Sequence, residues 1–312
     1  MNHMPAVKLY AGLGAWGYLN LDKILISERM LILLGDTIME LFRIDEQTCN
    51  TDGLCAQVCP FGLIEWQMGE VPVAIADADS LCIRCGHCVA ICPTESFHHR
   101  DMEPALCPPI HQEWQLNREQ CEHFLRARRS VRLYKKKEVE REKLRQLIEM
   151  ARYAPTAINS QGIRWLVIDQ SDTLATMAAS VIEWMQWLER EMPEMAATLH
   201  VDRVIGRWQQ GIDGILRQAP ALIVAYAEFE SRMAPTSCTI ALSYLELAAT
   251  GLGLGTCWAG YFNAAANSYP PLKQALGLGN EQQCYGAMMV GYPALRYKRL
   301  PTRNEPEITW LD

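Results

Sequence analysis

The chain has 312 residues, 49% of them apolar, which is length for about two domains and enough apolar mass for a sizeable core. Twenty-nine lysines and arginines face 36 aspartates and glutamates, a net charge of −7. That balance supplies no general basic face for a phosphate backbone and excludes nucleic acid as the expected partner. Residues 1–38 hold a glycine-rich tract (Gly12, Gly14, Gly17) and then an apolar, helix-like run. Leu31 to Leu34 is bracketed by Glu28, Arg29 and Asp36, far short of the ~20 uncharged residues of a membrane span. The basic start and small-residue cleavage pattern of a signal peptide are absent, so no membrane segment and a cytoplasmic location are expected. Met39 stands just before Glu40 to Asp45, and residues 1–38 are read as an extension, or as sequence upstream of a start at Met39.

Residues 39–100 are rich in cysteine and poor in periodic structure. Seven of the chain's 12 cysteines lie between Cys49 and Cys92, in runs spaced by two and three residues. Disulfides suit small secreted domains, whereas close-spaced runs gather sulfurs round a metal centre in a reducing compartment. The second run, Cys82-Ile-Arg-Cys85-Gly-His-Cys88-Val-Ala-Ile-Cys92-Pro93, is C-x2-C-x2-C-x3-C-P in full. Iron–sulfur clusters take soft thiolate ligands, and zinc sites usually pair two C-x2-C units without this run of three. The first run, Cys49-Asn-Thr-Asp52-Gly-Leu-Cys55-Ala-Gln-Val-Cys59-Pro60, follows the same pattern with Asp52 at the second cysteine position.

Both runs resemble the two-cluster bacterial ferredoxins, in which the cysteine beside proline ligates the other cluster. The resemblance implies one cluster on Cys49, Cys55 and Cys92, and a second, a [4Fe–4S] cluster, on Cys82, Cys85, Cys88 and Cys59. For the first, Asp52 leaves three outcomes open: a carboxylate or solvent ligand on a [4Fe–4S] cluster, a [3Fe–4S] cluster, or a residue that only caps the loop. Cys107, Cys121, Cys238, Cys257 and Cys284 lie outside the pattern and are assigned no role.

Residues 101–123 read as a linker, because Pro104, Pro108 and Pro109 break helices. From residue 124 to 312 the composition is that of an ordinary mixed domain, and strands separated by helices with few tight hairpins indicate a layered α/β or α+β fold. Val139 to Tyr153 has helical apolar spacing at Leu144, Leu147, Ile148 and Ala151. Arg164 to Asp169 predicts a buried strand, 172–217 a helical region, and Ala221 to Ala227 a second strand. Cys238 to Thr250 predicts an apolar helix closed by Gly251, and Cys284 to Tyr292 a third strand. Trp184, Trp187 and Trp208 are expected to line or lid a substrate pocket.

Four motifs stand in this region. Arg128-Arg129-Ser130-Val131-Arg132 offers guanidinium groups and a hydroxyl to a phosphate. Ala154-Pro155-Thr156-Ala157-Ile158-Asn159-Ser160-Gln161 is a loop of small polar residues and amides. Gly251 to Phe262 is glycine-rich but follows a helix, unlike a dinucleotide fingerprint. Arg299-Leu-Pro-Thr-Arg303 closes the set.

In this order the four motifs resemble the nitroreductase family of FMN enzymes over roughly residues 124–312, and a subgroup of that family carries an N-terminal two-cluster module. The resemblance implies a mixed sheet flanked by helices, joined to a small ferredoxin-like domain. It implies a homodimer with swapped terminal segments and FMN at the subunit interface. Arg128, Ser130 and Arg132, assisted by Arg129, match the motif at the flavin phosphate and polar edge. Pro155, Thr156, Ala157 and Asn159, with Gln161 at the end, match the loop that reaches the flavin of the partner subunit. Ala259 and Gly260 match the segment beside N5, and Arg299 and Arg303 the terminal basic pair. Many members carry Pro-Trp where this chain has Gly162-Ile163. No residue stands out as a general acid. The expected activity is electron transfer from the clusters to FMN and on to a nitro, quinone or enone acceptor, with a ferredoxin-like protein or NAD(P)H as donor. The alternatives are an electron carrier that reduces a partner protein and a flavin-dependent dehalogenase or flavin-modifying enzyme.

Overall fold

The structure is a computed structural model that describes residues 40–311; the expected N-terminal extension, 1–38, lies outside the described residues. The described chain forms two compact units. One holds the residues up to Leu81 together with Gly86–Cys107, the other Cys82–Cys85 and the residues from Pro108 onward.

The first unit is built from very short elements. Strand β1 (Phe42–Ile44) pairs antiparallel with β4 (Phe97–His99), and β2 (Ile64–Glu65) with β3 (Val73–Ala74). The Phe42 and Phe97 rings meet at 4.5 Å and are buried, as are Leu41, Leu63 and Val89. Helices α1 (Leu54–Val58), α2 (Ala78–Leu81) and α3 (His87–Ile91) lie between the strands. α1 and α3 repeat one another in detail. Each starts after a left-handed glycine, Gly53 at φ 68° and Gly86 at φ 74°, and each ends on an extended cysteine, Cys59 at φ −70° and Cys92 at φ −66°.

The second unit contains a four-stranded antiparallel sheet in the order β5 (Arg164–Ile168), β6 (Ala221–Glu228), β8 (Gln282–Gly291), β7 (Gly255–Trp258). Ser130 adds a parallel bridge to Thr256 at the β7 edge, so the pairing is mixed. Alternate side chains of a strand point to opposite faces. Leu222, Val224, Ala287 and Met289 accordingly pack on one side against α6 (Ser171–Glu191) and α10 (Gly260–Ser268). Ile223, Ala225, Met288 and Val290 pack on the other against α5 (Arg141–Ala151) and α9 (Ala234–Gly251). With both faces covered, β6 and β8 read as continuous apolar runs. α9 presses so close that a Cβ on Gly286 would stand 2.4 Å from Leu242 Cδ1. The remaining helices are α4 (Arg118–Ala127), capped reciprocally by Asn117 and Gln120 and crossing position 123, then α7 (Pro193–Thr198), α8 (Val201–Gln209) and α11 (Pro270–Ala275).

Three local expectations need correction. Helix does not run on to residue 217: α8 ends at Gln209, and Gly211 at φ 77° begins a turn. Gly251 lies inside α9, and the left-handed residue after it is Gly253 at φ 68°. Trp184 is 2% exposed and belongs to the core rather than to a pocket lid; Trp187 and Trp208 pack partly buried against the same cluster, and Trp208 also lines a cavity of about 540 Å³. Among the described residues, no helix is long and apolar enough to cross a membrane.

Candidate functional site

Two sets of residues carry chemistry. The first lies on the repeated loops. Among the described residues no cysteine is in a disulfide. The Cys55 thiol is pushed up to about 11, chiefly by burial and further by its neighbours Cys92 and Cys49. Cys92 of the second run and Cys49 of the first therefore both lie within electrostatic reach of Cys55. Cys92 itself is held below the ordinary thiol range. Burial pushes it up, but the Ser96 and Thr94 hydroxyls and backbone N–H groups outweigh that. Asp52 Oδ1 accepts from Leu54 N at 3.0 Å, so its carboxylate satisfies an amide at the start of α1. Leu63 N donates to Cys59 Sγ at 3.3 Å and Arg84 N to Cys82 Sγ at 3.4 Å. Among the described residues no three His, Cys, Asp or Glu side chains close round a single ion; a cubane spreads its cysteines over a cluster instead.

The second set lies in the larger unit. The segment 128–132 is held along β7 because Val131 N donates to Thr256 O at 2.8 Å and the Val131 side chain fills the space beside Gly255. Arg128 Nη1 pairs with Glu246 Oε1 at 2.9 Å; Glu246 is a helix residue only 8% exposed. Arg129 Nη1 donates to Arg128 O at 2.6 Å. Arg128 and Arg129 line a cavity of about 430 Å³ with Glu246, Thr256, Tyr292 and Arg296.

Ser130 and Arg132 gather elsewhere, around Cys257. Burial pushes that thiol up, while the charges of Arg132 and Arg217 and a hydrogen bond with Ser130 counter it. Tyr134, pushed up by burial, lies near the same two arginines. Its hydroxyl donates to Val131 O at 2.7 Å. The turn before β6 presents Arg217: the Asp213 carboxylate accepts from Ile215 N, Leu216 N and Gln218 N at 2.8–2.9 Å. Arg217 and Gln218 both sit at positive φ, 57° and 54°. Asp213, Arg217 and Glu246 escaped the sequence reading. The Gly211-x-Asp213 pair, a turn signal just before a strand, could have marked the first two.

The loop after α5 is strained in the same way. Ile158, Asn159 and Gln161 have φ of 48°, 52° and 48°. Such backbone costs on the order of 1–3 kcal/mol per residue and concentrates at functional sites. Thr156 Oγ1 accepts from Gln161 N at 3.0 Å, and Asn159 Nδ2 donates to the carbonyls of Ile83 and Arg84 at 3.1 and 2.9 Å. Pro155 and Ala157 complete this loop. Ala259 is 2% exposed with its N–H on Ala287 O at 2.9 Å, and Gly260 opens α10. Arg299 and Arg303 are exposed in the extended segment that follows β8. The structure thus brings Arg128 with Arg129, and Ser130 with Arg132. It does not gather the loop, Ala259–Gly260 or the terminal arginines round the 430 Å³ cavity.

Comparison with known proteins gives two family matches. The model for the nitroreductase family matches residues 125–292, more than half the chain, and a 4Fe–4S dicluster domain matches 41–93. A curated relative, provisionally named an NADH dehydrogenase/NAD(P)H nitroreductase, comes from Archaeoglobus fulgidus. It is 22% identical over 175 residues, 56% of this chain and 86% of that protein. Two solved structures, FMN-bound nitroreductases of Bacteroides fragilis and Desulfitobacterium hafniense, share the fold at 21% identity and a TM-score of 0.51 each. They cover 63% and 64% of this chain and 100% of their own.

Proposed function

The chain belongs to the nitroreductase family, and from that premise we propose an FMN-dependent oxidoreductase whose iron–sulfur clusters supply electrons to the flavin for reduction of a small nitro, quinone or enone acceptor. Bound flavin and clusters supply the redox chemistry, and the protein supplies binding, orientation and electrostatics.

The crossing of the cysteine runs carries the wiring half of this proposal. The charges of Cys92 and Cys49 act on Cys55, which fits one cluster, and the ferredoxin pattern gives Cys82, Cys85, Cys88 and Cys59 as the candidate ligands of the second. Asp52 is the candidate fourth ligand of the first. Arg128, Arg129, Ser130 and Arg132 form a donor set that fits a flavin phosphate and polar edge. Glu246 holds the Arg128 guanidinium in one orientation. Arg217 adds a second cation beside Arg132. Pro155, Thr156, Ala157, Asn159 and Gln161 would reach the flavin of a partner subunit, Ala259 and Gly260 would flank its N5 edge, and Arg299 and Arg303 would close on the phosphate. A homodimer is favoured by the segment after β8, which exposes Ile308, Trp310 and Leu311.

The test is anaerobic purification followed by iron, sulfide and flavin analysis and turnover with dithionite-reduced protein. We expect about seven to eight irons and one FMN per chain, and reduction of a nitroaromatic, quinone or enone. Fewer than about six irons, or no flavin, overturns the proposal; full cofactors with no turnover of any acceptor favour a carrier that reduces a partner protein. Arg128→Ala leaves the Glu246 carboxylate unpaired and is expected to weaken flavin retention at least tenfold, roughly 1.4 kcal/mol or more, read by fluorescence of released FMN.

A further inference from the structure

The first unit buries the hydroxyl of Ser96 beside the cysteine that closes the second run. Ser96 is 2% exposed, and its Oγ lies 3.3 Å from Cys92 Sγ. Thr94 Oγ1 donates to Ser96 Oγ at 3.1 Å and stands 3.7 Å from the same sulfur. A cysteine bound to iron is a thiolate and carries no proton, so it can only accept. Ser96, already accepting from Thr94, then turns its own proton onto Cys92.

We propose that Thr94 and Ser96 form a two-hydroxyl relay onto the Cys92 sulfur that raises the reduction potential of the cluster on Cys49, Cys55 and Cys92. This rests on the cluster assignment made above. Reduction adds negative charge to the cluster and its sulfurs, and a hydrogen-bond donor on a ligand sulfur stabilises the reduced form. Each hydroxyl in a chain polarises the next, and the burial of Ser96 keeps water from competing.

The other half of the unit is an internal control. At an offset of 33 residues (Cys59 to Cys92) the counterparts of Thr94 and Ser96 are Phe61 and Leu63, which carry no hydroxyl. Cys59 Sγ takes the Leu63 backbone N–H at 3.3 Å, and Cys92 takes backbone N–H groups as well, so the hydroxyls are what differs. The backbone is the same in both places: Gly62 and Glu95, between these residues, have φ of 62° and 55°. The hydroxyl pair is therefore a side-chain addition to one cluster site, and it sets the two clusters apart in potential.

The test is an anaerobic redox titration of the full-length holoprotein followed by EPR, for the wild type, Ser96→Ala, Thr94→Val and Ser96→Thr. At the wild-type midpoint, Ser96→Ala is expected to lower the reduced-to-oxidised ratio of the first cluster about tenfold, ~59 mV for one electron. Thr94→Val, which leaves the Ser96 donor in place but unpolarised, should lower it by roughly threefold. Ser96→Thr, which keeps the hydroxyl, should titrate like the wild type, and the second cluster should not move in any variant. Midpoints unchanged in both Ser96→Ala and Thr94→Val overturn the inference while the cluster assignment stands. If Ser96→Ala loses iron, Thr94→Val decides. Full iron in a Cys55→Ala variant overturns the cluster assignment itself, and the inference with it.

Discussion

Segments 49–63 and 82–96 of the chain are two copies of one loop and helix, and they differ where chemistry is done. Their backbones agree position by position: Thr51 and Arg84 at φ 55° and 53°, Gly53 and Gly86 at 68° and 74°, Gly62 and Glu95 at 62° and 55°. Only the middle pair is glycine in both copies, so in the outer pairs non-glycine residues accept left-handed backbone to follow the wrap of the loop. The side chains do not follow the repeat. Asp52 stands where the other copy has Cys85, and Thr94 and Ser96 where it has Phe61 and Leu63. A duplicated backbone fixes where sulfurs point, and a few side chains then give each site its own ligand set and donors.

The comparison breaks most readily at the two glycine caps. A Cβ on Gly53 would lie 2.3 Å from the Trp66 ring, whose Nε1 is tied to Thr51 O at 3.1 Å. Gly53→Ala is expected to destabilise the unit by about 2–5 kcal/mol, adding left-handed strain to overpacking, and to lose the first cluster, read by iron analysis and thermal unfolding. Gly86→Ala meets the flexible end of Met102, with Sδ at 2.7 Å. It should cost about 1–3 kcal/mol and keep its iron. Equal losses in the two variants would show that the glycine sites are alike in packing as well as in backbone.

Asp52→Cys makes the first copy match the second. The expected result is a gain of about one iron per chain, with the loss of any three-iron EPR signal. Stability should fall by roughly 1 kcal/mol as the Leu54 N–H loses its carboxylate cap. Iron content equal to the wild type would assign Asp52 to ligation or to capping alone. The smallest effect is at the third pair: Glu95→Gly should stabilise the unit by about 1 kcal/mol by relieving left-handed strain. Gly62→Ala, which has open space around it, should cost a similar amount. Thermal melts of the holoprotein measure both.

Much of the molecule was legible in advance where the signal is local. The thiolate spacing of Cys82, Cys85 and Cys88 follows from the reach of one tight loop, and with Cys92 it marks the 4Fe–4S dicluster domain from sequence alone. α5, β5, β6 and β8 followed from periodicity, because both faces of the sheet are buried and the helix has one apolar stripe. β7 was missed because Gly255–Trp258 is four residues long with no alternation to mark it. The helix signal of 172–217 outruns the helix because Ile215 and Leu216 keep an apolar rhythm past the point where Gly211 and the Asp213 carboxylate turn the chain.

By itself the sequence determined which chemistry the chain can support: soft thiolates at cluster spacing, and a guanidinium–hydroxyl motif at the head of an α+β domain. Only the tertiary structure decided which of these groups meet. Arg128 finds Glu246 across 118 residues, Arg132 and Arg217 both act on Cys257, and the Ser96 hydroxyl lies 3.3 Å from the Cys92 sulfur. The physical reason is that ligand identity and loop spacing are properties of neighbouring residues. Partners distant along the chain meet only after the sheet and helices have fixed where each loop ends.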